Sequence, residues 1–133
     1  MKMNKKGFTL IEMLVVIAII AVLVAIIIPT VSSSTVKAKA AADAANLRSV
    51  IAEASLDYLG NVEEDTGYVK FTPKSGNTAA SFTARANAPA CESVANATLT
   101  ITVDANGNVT ATYGNYTVND FATAAETGTL ATK

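Results

Sequence analysis

The sequence predicts an α+β fold in which one long N-terminal helix packs its outer half on a small antiparallel β-sheet. Three observations predict it. An apolar run extends from Phe8 to Ile28, an apolar stripe at helical spacing continues to Tyr58, and after Gly60 the pattern becomes period-two alternation broken by turn residues. The 133 residues are sized for one domain.

The first element is the apolar run, 21 residues interrupted only by Thr9 and Glu12. As a helix it spans roughly 30 Å, the thickness of a bilayer's hydrocarbon core. A buried core helix this uniform needs a far larger protein around it. A secretory signal peptide has an apolar core of about 7–15 residues followed by a small-residue cleavage site. This run is longer, and AIIIPTV is a poor site of that kind. A membrane-spanning helix fits better. Lys2, Lys5 and Lys6 flank its start, so the N-terminus is expected in the cytoplasm and everything after Thr30 outside the membrane. Pro29 lies near the outer end. It either loosens the helix around residues 25–29 or marks a simple stop at the membrane edge.

Glu12 is the exception within the run. An acidic residue at the centre of a membrane helix costs about 2.5–3.5 kcal/mol, and less near an end. Snorkelling to the headgroups explains how it is tolerated; a partner cation within the membrane explains why it is kept. Cutting after Gly7 would supply such a cation as the α-amino group of Phe8.

Taken together, KKG, then FTLIE, then a long apolar run with a proline near its end resembles the class III leader and N-terminal helix of type IV pilins and pseudopilins. The resemblance covers residues 5–30. It implies a leader of residues 1–7, a transmembrane and filament-core helix of residues 8–30, its amphipathic second half to residue 59, and an extracellular β-rich domain of residues 60–133. It further implies that a prepilin peptidase cuts between Gly7 and Phe8, that Phe8 becomes N-methylated, and that Glu12 neutralises the Phe8 amine of a neighbouring subunit. Pro29 would mark the loosened part of the helix. The implied partners are membrane lipid before assembly, the inner-membrane assembly machinery and other pilin subunits in a helical homopolymer.

Beyond the serines, Val36, Ala40, Ala44, Leu47, Ile51, Ala54 and Tyr58 recur at intervals of three and four, one apolar stripe at helical period. Lys37, Asp43, Arg48, Ser49, Glu53 and Asp57 fall largely off it. Gly60-Asn61 supplies the stop. A coiled coil competes for this stripe, but three alanines among seven positions make a weak zipper and favour packing within the subunit. That surface is needed, because the residues after Gly60 are rich in Thr, Asn, Ala and Gly and hold few large apolar side chains.

In TLTITV and NVTATY the apolar residues alternate with threonine, and DANGN between them is turn chemistry, so residues 97–113 predict a β-hairpin. Weaker strands are expected at residues 67–72, 80–86 and 116–118. NVEEDTG reads as an exposed loop, and the last twelve residues as a segment with little to anchor it.

Composition excludes much chemistry. Histidine is absent, which removes the usual general base and the commonest transition-metal ligand. The one cysteine, Cys91, permits no internal disulfide and lacks a catalytic partner, so a buried or free thiol is expected, with pairing between chains as the lesser option. Asp104, Asn106 and Asn108 alternate as in a calcium loop, but Gly107 is fourth rather than sixth and no Glu stands twelfth. Three Asn-x-Thr triplets, at Asn96, Asn108 and Asn115, are accounted for by a composition rich in both residues. Net charge is −1, which leaves no nucleic-acid footprint; without the leader, seven basic residues face 11 acidic ones. No catalytic residue, metal or cofactor is expected.

The expectation is therefore a non-enzymatic prepilin, cut, held in the cytoplasmic membrane and polymerised into an extracellular type IV pilus for adhesion, motility or DNA uptake. The alternative is a pseudopilin of a type II secretion or competence system. A sortase-linked pilus subunit is a further rival, but no LPxTG-like signal is present.

Overall fold

A computed structural model describes residues 7–63 and 66–133. Lys2, Lys5 and Lys6, with the orientation read from them, lie outside the described residues, as do Glu64 and Asp65 of the expected loop. The apolar run and the stripe that follows it form one helix, α1 (Leu10–Gly60), starting two residues later than expected. It ends where the sequence places the stop: Asn61 turns left-handed at φ 49°, and the Val62 amide donates back to the Asp57 carbonyl at 3.3 Å.

The chain divides into two compact units, with the boundary between Ser34 and Thr35 inside α1. In the first, every described residue is exposed, including the Leu, Ile and Val side chains of residues 10–31. In the second, Thr35–Lys133, the rest of α1 supplies one wall of a core.

That core contains Ala40, Ala44, Leu47, Val50 and Ala54 from α1, all but fully buried. The hairpin β1 (Val69–Thr72) and β2 (Ser81–Ala84) contributes Val69 and Phe71, with Phe82 half-buried. Phe71 sits between aromatic neighbours, its ring centroid 6.1 Å from Tyr58, edge-on, and 5.1 Å from Phe82. The second hairpin, β3 (Leu99–Val103) and β4 (Val109–Tyr113), adds Ile101, Val109, Ala111 and Tyr113 and leaves Thr100, Thr102 and Thr110 outside. The hairpin lies where the alternation placed it, and its register runs from Leu99↔Tyr113 to Val103↔Val109. β2 lies beside β3, but the two hairpins remain separate two-stranded sheets rather than one. A long connection joins them, and it imposes no register of the kind a tight turn sets.

The stripe on α1 differs from expectation at two acids. Asp43 and Asp57, expected off the stripe, are both buried, while Val36, Ile51 and Tyr58 are only half-buried. Asp43 can be buried because backbone donors surround it. Its Oδ1 accepts from the Glu92 amide and its Oδ2 from the Ser93 amide, each at 2.8 Å, and the Cys91 thiol donates to Oδ2 at 3.4 Å. Ten residues along α1, Glu53 Oε1 accepts from the Tyr68 and Val69 amides at 2.7 and 2.9 Å, at the start of β1. Gly67 passes so close, at φ 103°, that a Cβ there would collide with the Glu53 carboxylate.

The C-terminal segment is a correction. Residues 116–118 are not a strand, and the last twelve residues are not loosely held. Tyr113 and Tyr116 exchange both backbone hydrogen bonds at 3.0 Å across Gly114-Asn115, a tight turn, and Val118 opens a second helix, α2 (Val118–Thr127). Thr117 caps it: its hydroxyl accepts from the Asp120 amide, and its own amide donates to the Asp120 carboxylate at 2.7 Å. Gly128, left-handed at φ 82°, closes the other end. Phe121 and Ala124 are buried, Phe121 against Tyr113 and Tyr116. Lys133 then reaches back, its Nζ 2.6 Å from Asp120 Oδ2.

Two predictions follow from these anchors. Asp43→Ala leaves the part-buried Glu92 and Ser93 amides without their acceptors, at roughly 1–3 kcal/mol in all. Chemical denaturation of the full chain in detergent should show that loss, and Asp43→Asn, which keeps one acceptor oxygen, should recover part of it. The second concerns acid. Lys133, followed by the amide and hydroxyl of Thr117, holds the Asp120 carboxyl at about 2, below its ordinary 3.8. A depressed carboxyl stabilises the fold above its unfolded pKa, so this contribution is present above about pH 4 and fades as pH falls towards 2. An acid titration followed by NMR should show α2 loosening across that window, and Asp120→Asn should flatten the response.

Candidate functional site

Gly7, Phe8 and Thr9 precede α1 without regular secondary structure, and all three are exposed. A Cβ built at Gly7 meets no atom within 4 Å. The Gly7–Phe8 peptide bond is therefore in the non-helical, uncovered form that a peptidase can take into its cleft. Phe8 is 80% exposed, and none of the described residues covers its ring.

Glu12 lies in the first turn of α1. Helix starts leave amide donors unpaired, and Thr9 and Glu12 have the S/T-x-x-E spacing that satisfies them reciprocally. Glu12 Oε2 accepts from the Thr9 amide at 2.6 Å and from the Thr9 hydroxyl at 2.8 Å, while the Glu12 amide faces Thr9 Oγ1 at 3.4 Å. The carboxylate thus has a task within its own chain besides those read from the sequence. Only Oε2 is engaged; Oε1 makes no hydrogen bond among the described residues, so one oxygen can cap this helix while the other meets a second donor. Thr9 is the functional residue that the sequence reading passed over, although the T-x-x-E signature was visible.

Downstream of Glu12 the surface is apolar. Burying one Leu, Ile or Val side chain is worth about 1.5–3 kcal/mol, so so many exposed in one helix demand lipid or other apolar helices around them. Pro29 stands inside α1. Having no N–H, it leaves the Ala25 carbonyl without its helical donor. One residue on, the Thr30 hydroxyl donates to the Ile26 carbonyl at 3.3 Å, and the Ser34 hydroxyl to the Thr30 carbonyl at 3.0 Å. Side-chain bonds of this type compete with the backbone ladder and favour bending.

The second unit, Thr35–Lys133, offers no reactive constellation among the described residues. No group of three His, Cys, Asp or Glu is placed to hold a metal. Cys91 is half-buried against Asp43, and burial is the largest of the effects that push its thiol pKa up, which keeps it protonated and a poor nucleophile at neutral pH. The Asp104 carboxylate is occupied by its own turn, accepting from the Asn106 and Asn108 amides and from the Asn108 side chain at 2.8–2.9 Å. Residues 104–108 make a hairpin turn, with Gly107 at φ 85°.

Comparison with known proteins finds one match: residues 2–28 fit the family described as the prokaryotic N-terminal methylation motif. No curated protein and no solved structure matches the chain.

The capping box yields its own prediction. Thr9→Val removes the hydroxyl that holds Glu12 Oε2, so amide exchange at residues 10–12 in detergent micelles should quicken while residues 40–54 keep their protection. Unchanged exchange at the helix start would show that the box does not form.

Proposed function

We propose that this chain, which carries the class III prepilin leader of the type IV pilin and pseudopilin family, is the precursor of a type IV pilin. A prepilin peptidase cuts between Gly7 and Phe8, Phe8 is methylated, and α1 anchors the product in the cytoplasmic membrane with its N-terminus inside. Subunits then assemble into an extracellular filament whose core is the apolar part of α1 and whose surface is the β-rich domain. The observation that carries this reading is the methylation motif lying on a helix whose Leu, Ile and Val side chains from residue 10 to residue 31 are all exposed. A membrane covers such a helix first and neighbouring helices cover it afterwards. Head-to-tail contacts that do not close on themselves build a filament.

Within the filament, Glu12 pairs with the Phe8 amine of a neighbouring subunit. The open Oε1 supports this role, since capping engages only the other oxygen. Pro29 is the place where α1 loosens on assembly. Such a protein works as a structural subunit rather than as an enzyme. The motif is shared with pseudopilins, so the length and location of the filament separate the two: purified surface filaments should contain this chain as their main subunit.

Two measurements test the reading. The mature N-terminal peptide should have the mass of a chain beginning at a methylated Phe8. Glu12→Leu and Glu12→Gln should both insert and be processed, yet assemble at least tenfold less filament, because neither offers a negative charge to the Phe8 amine. If Glu12→Gln assembles normally, capping rather than charge pairing is the residue's task.

A further inference from the structure

A cleft of about 640 Å³ opens beside the C-terminal end of α1, within the range of sites that hold small ligands. Tyr58, Leu59 and Asn61 form one side, Lys74 and Asn77 of the β1–β2 connection the second, and Asp104 of the β3–β4 turn the third. Tyr58 and Leu59 also border a second hollow of about 290 Å³ beside Gly107 and Asn108.

We infer that the cleft binds an uncharged oligosaccharide, with the Tyr58 ring stacked on a sugar face and Asn61, Asn77 and Lys74 hydrogen-bonded to its hydroxyls. The ring is held in place before any ligand arrives. Phe71 meets it edge-on at a centroid distance of 6.1 Å, and a Cβ at Gly107 would come within 3.5 Å of Tyr58 Cε1. A pre-set aromatic face gives contact area at little entropic cost. Around it stand polar groups with nothing else to do: the side chains of Asn61, Lys74 and Asn77 and the Tyr58 hydroxyl make no hydrogen bond among the described residues. The two amides offer both donors and acceptors, which suits hydroxyls that act as both. Charge selects against ions, because Lys74 and Asp104 cancel and the carboxylate is already taken by its own turn. Leu59, 81% exposed at the rim, gives the apolar hydrogens of a sugar ring a place to rest. This site lies in the second unit and goes beyond the filament reading without depending on it.

The test uses the full chain, unassembled in detergent, with chitotetraose and maltotetraose as neutral probes and trigalacturonate as the charged control. Saturation-transfer NMR should show one of the neutral probes in contact with aromatic protons, and trigalacturonate should not compete. Asn77→Ala and Lys74→Ala change exposed loop residues and should each weaken binding at least tenfold with the fold intact by circular dichroism. Tyr58→Phe should keep the stacking contact. Absence of transfer from both neutral probes, tighter binding of trigalacturonate, or full binding by the Asn77 and Lys74 variants would each overturn the inference. Because the chain is unassembled, a negative result leaves the filament reading untouched.

Discussion

The unit formed by Thr35–Lys133 depends on carboxylates of its helix gripping the backbone of its loops. Asp43 takes the amides of Glu92 and Ser93, and Glu53 takes those of Tyr68 and Val69. The long connection from β2 to β3 has no ladder to satisfy its amides, and amides near a core cannot remain unpaired without cost. A helix has no spare backbone acceptors along its length, so side chains must supply them. Acids do this best, since an ionised oxygen accepts more strongly than a neutral one. Once these bonds are made, the connection is fixed to α1, both hairpins face the Ala-rich stripe, and Tyr113 can close the floor with its hydroxyl donated to the Pro89 carbonyl.

The same helix solves a different problem at its start. Glu12 also accepts a backbone amide, but there the amide belongs to the helix's own first turn. Asp43 spends both oxygens within the fold, whereas Glu12 spends one and keeps the other open. That difference leaves Asp43 committed to the fold of its own chain and Glu12 with one oxygen outside its capping box. The exposed apolar surface following Glu12 and the small side chains following Thr35 divide the labour in parallel. The bulky residues of the first stretch are left exposed by their own chain, and the alanines of the second let the hairpins approach closely.

Much of the fold was legible in the sequence. The second hairpin was readable in position and turn because its alternation is strict and its turn residues are strong. The helix could be followed to Gly60 because the stripe and the stop agreed. What misled was the assumption that charge marks the solvent side: Asp43 lies on the buried face because loop amides meet it there, and those amides belong to residues about 50 positions away. The second helix was missed for another reason. Tyr116-Thr117-Val118 ahead of it alternates like a strand and only Phe121 and Ala124 of its ten residues are buried, although Thr117-x-x-Asp120 and Gly128 marked both ends. At the candidate site, Gly7, Phe8, Glu12 and Pro29 could all be named from local pattern, while the bond from Thr9 to Glu12 went unread.

The sequence by itself determined the N-terminal methylation motif, the membrane-length helix and the pairing of β3 with β4, because each rests on residues close together in the chain. Only the tertiary structure decided which acids are buried, how the C-terminus is anchored and where Tyr58, Lys74 and Asp104 enclose a groove. These depend on amides, rings and charges brought together from distant segments, and no local pattern records which donor a given carboxylate will meet.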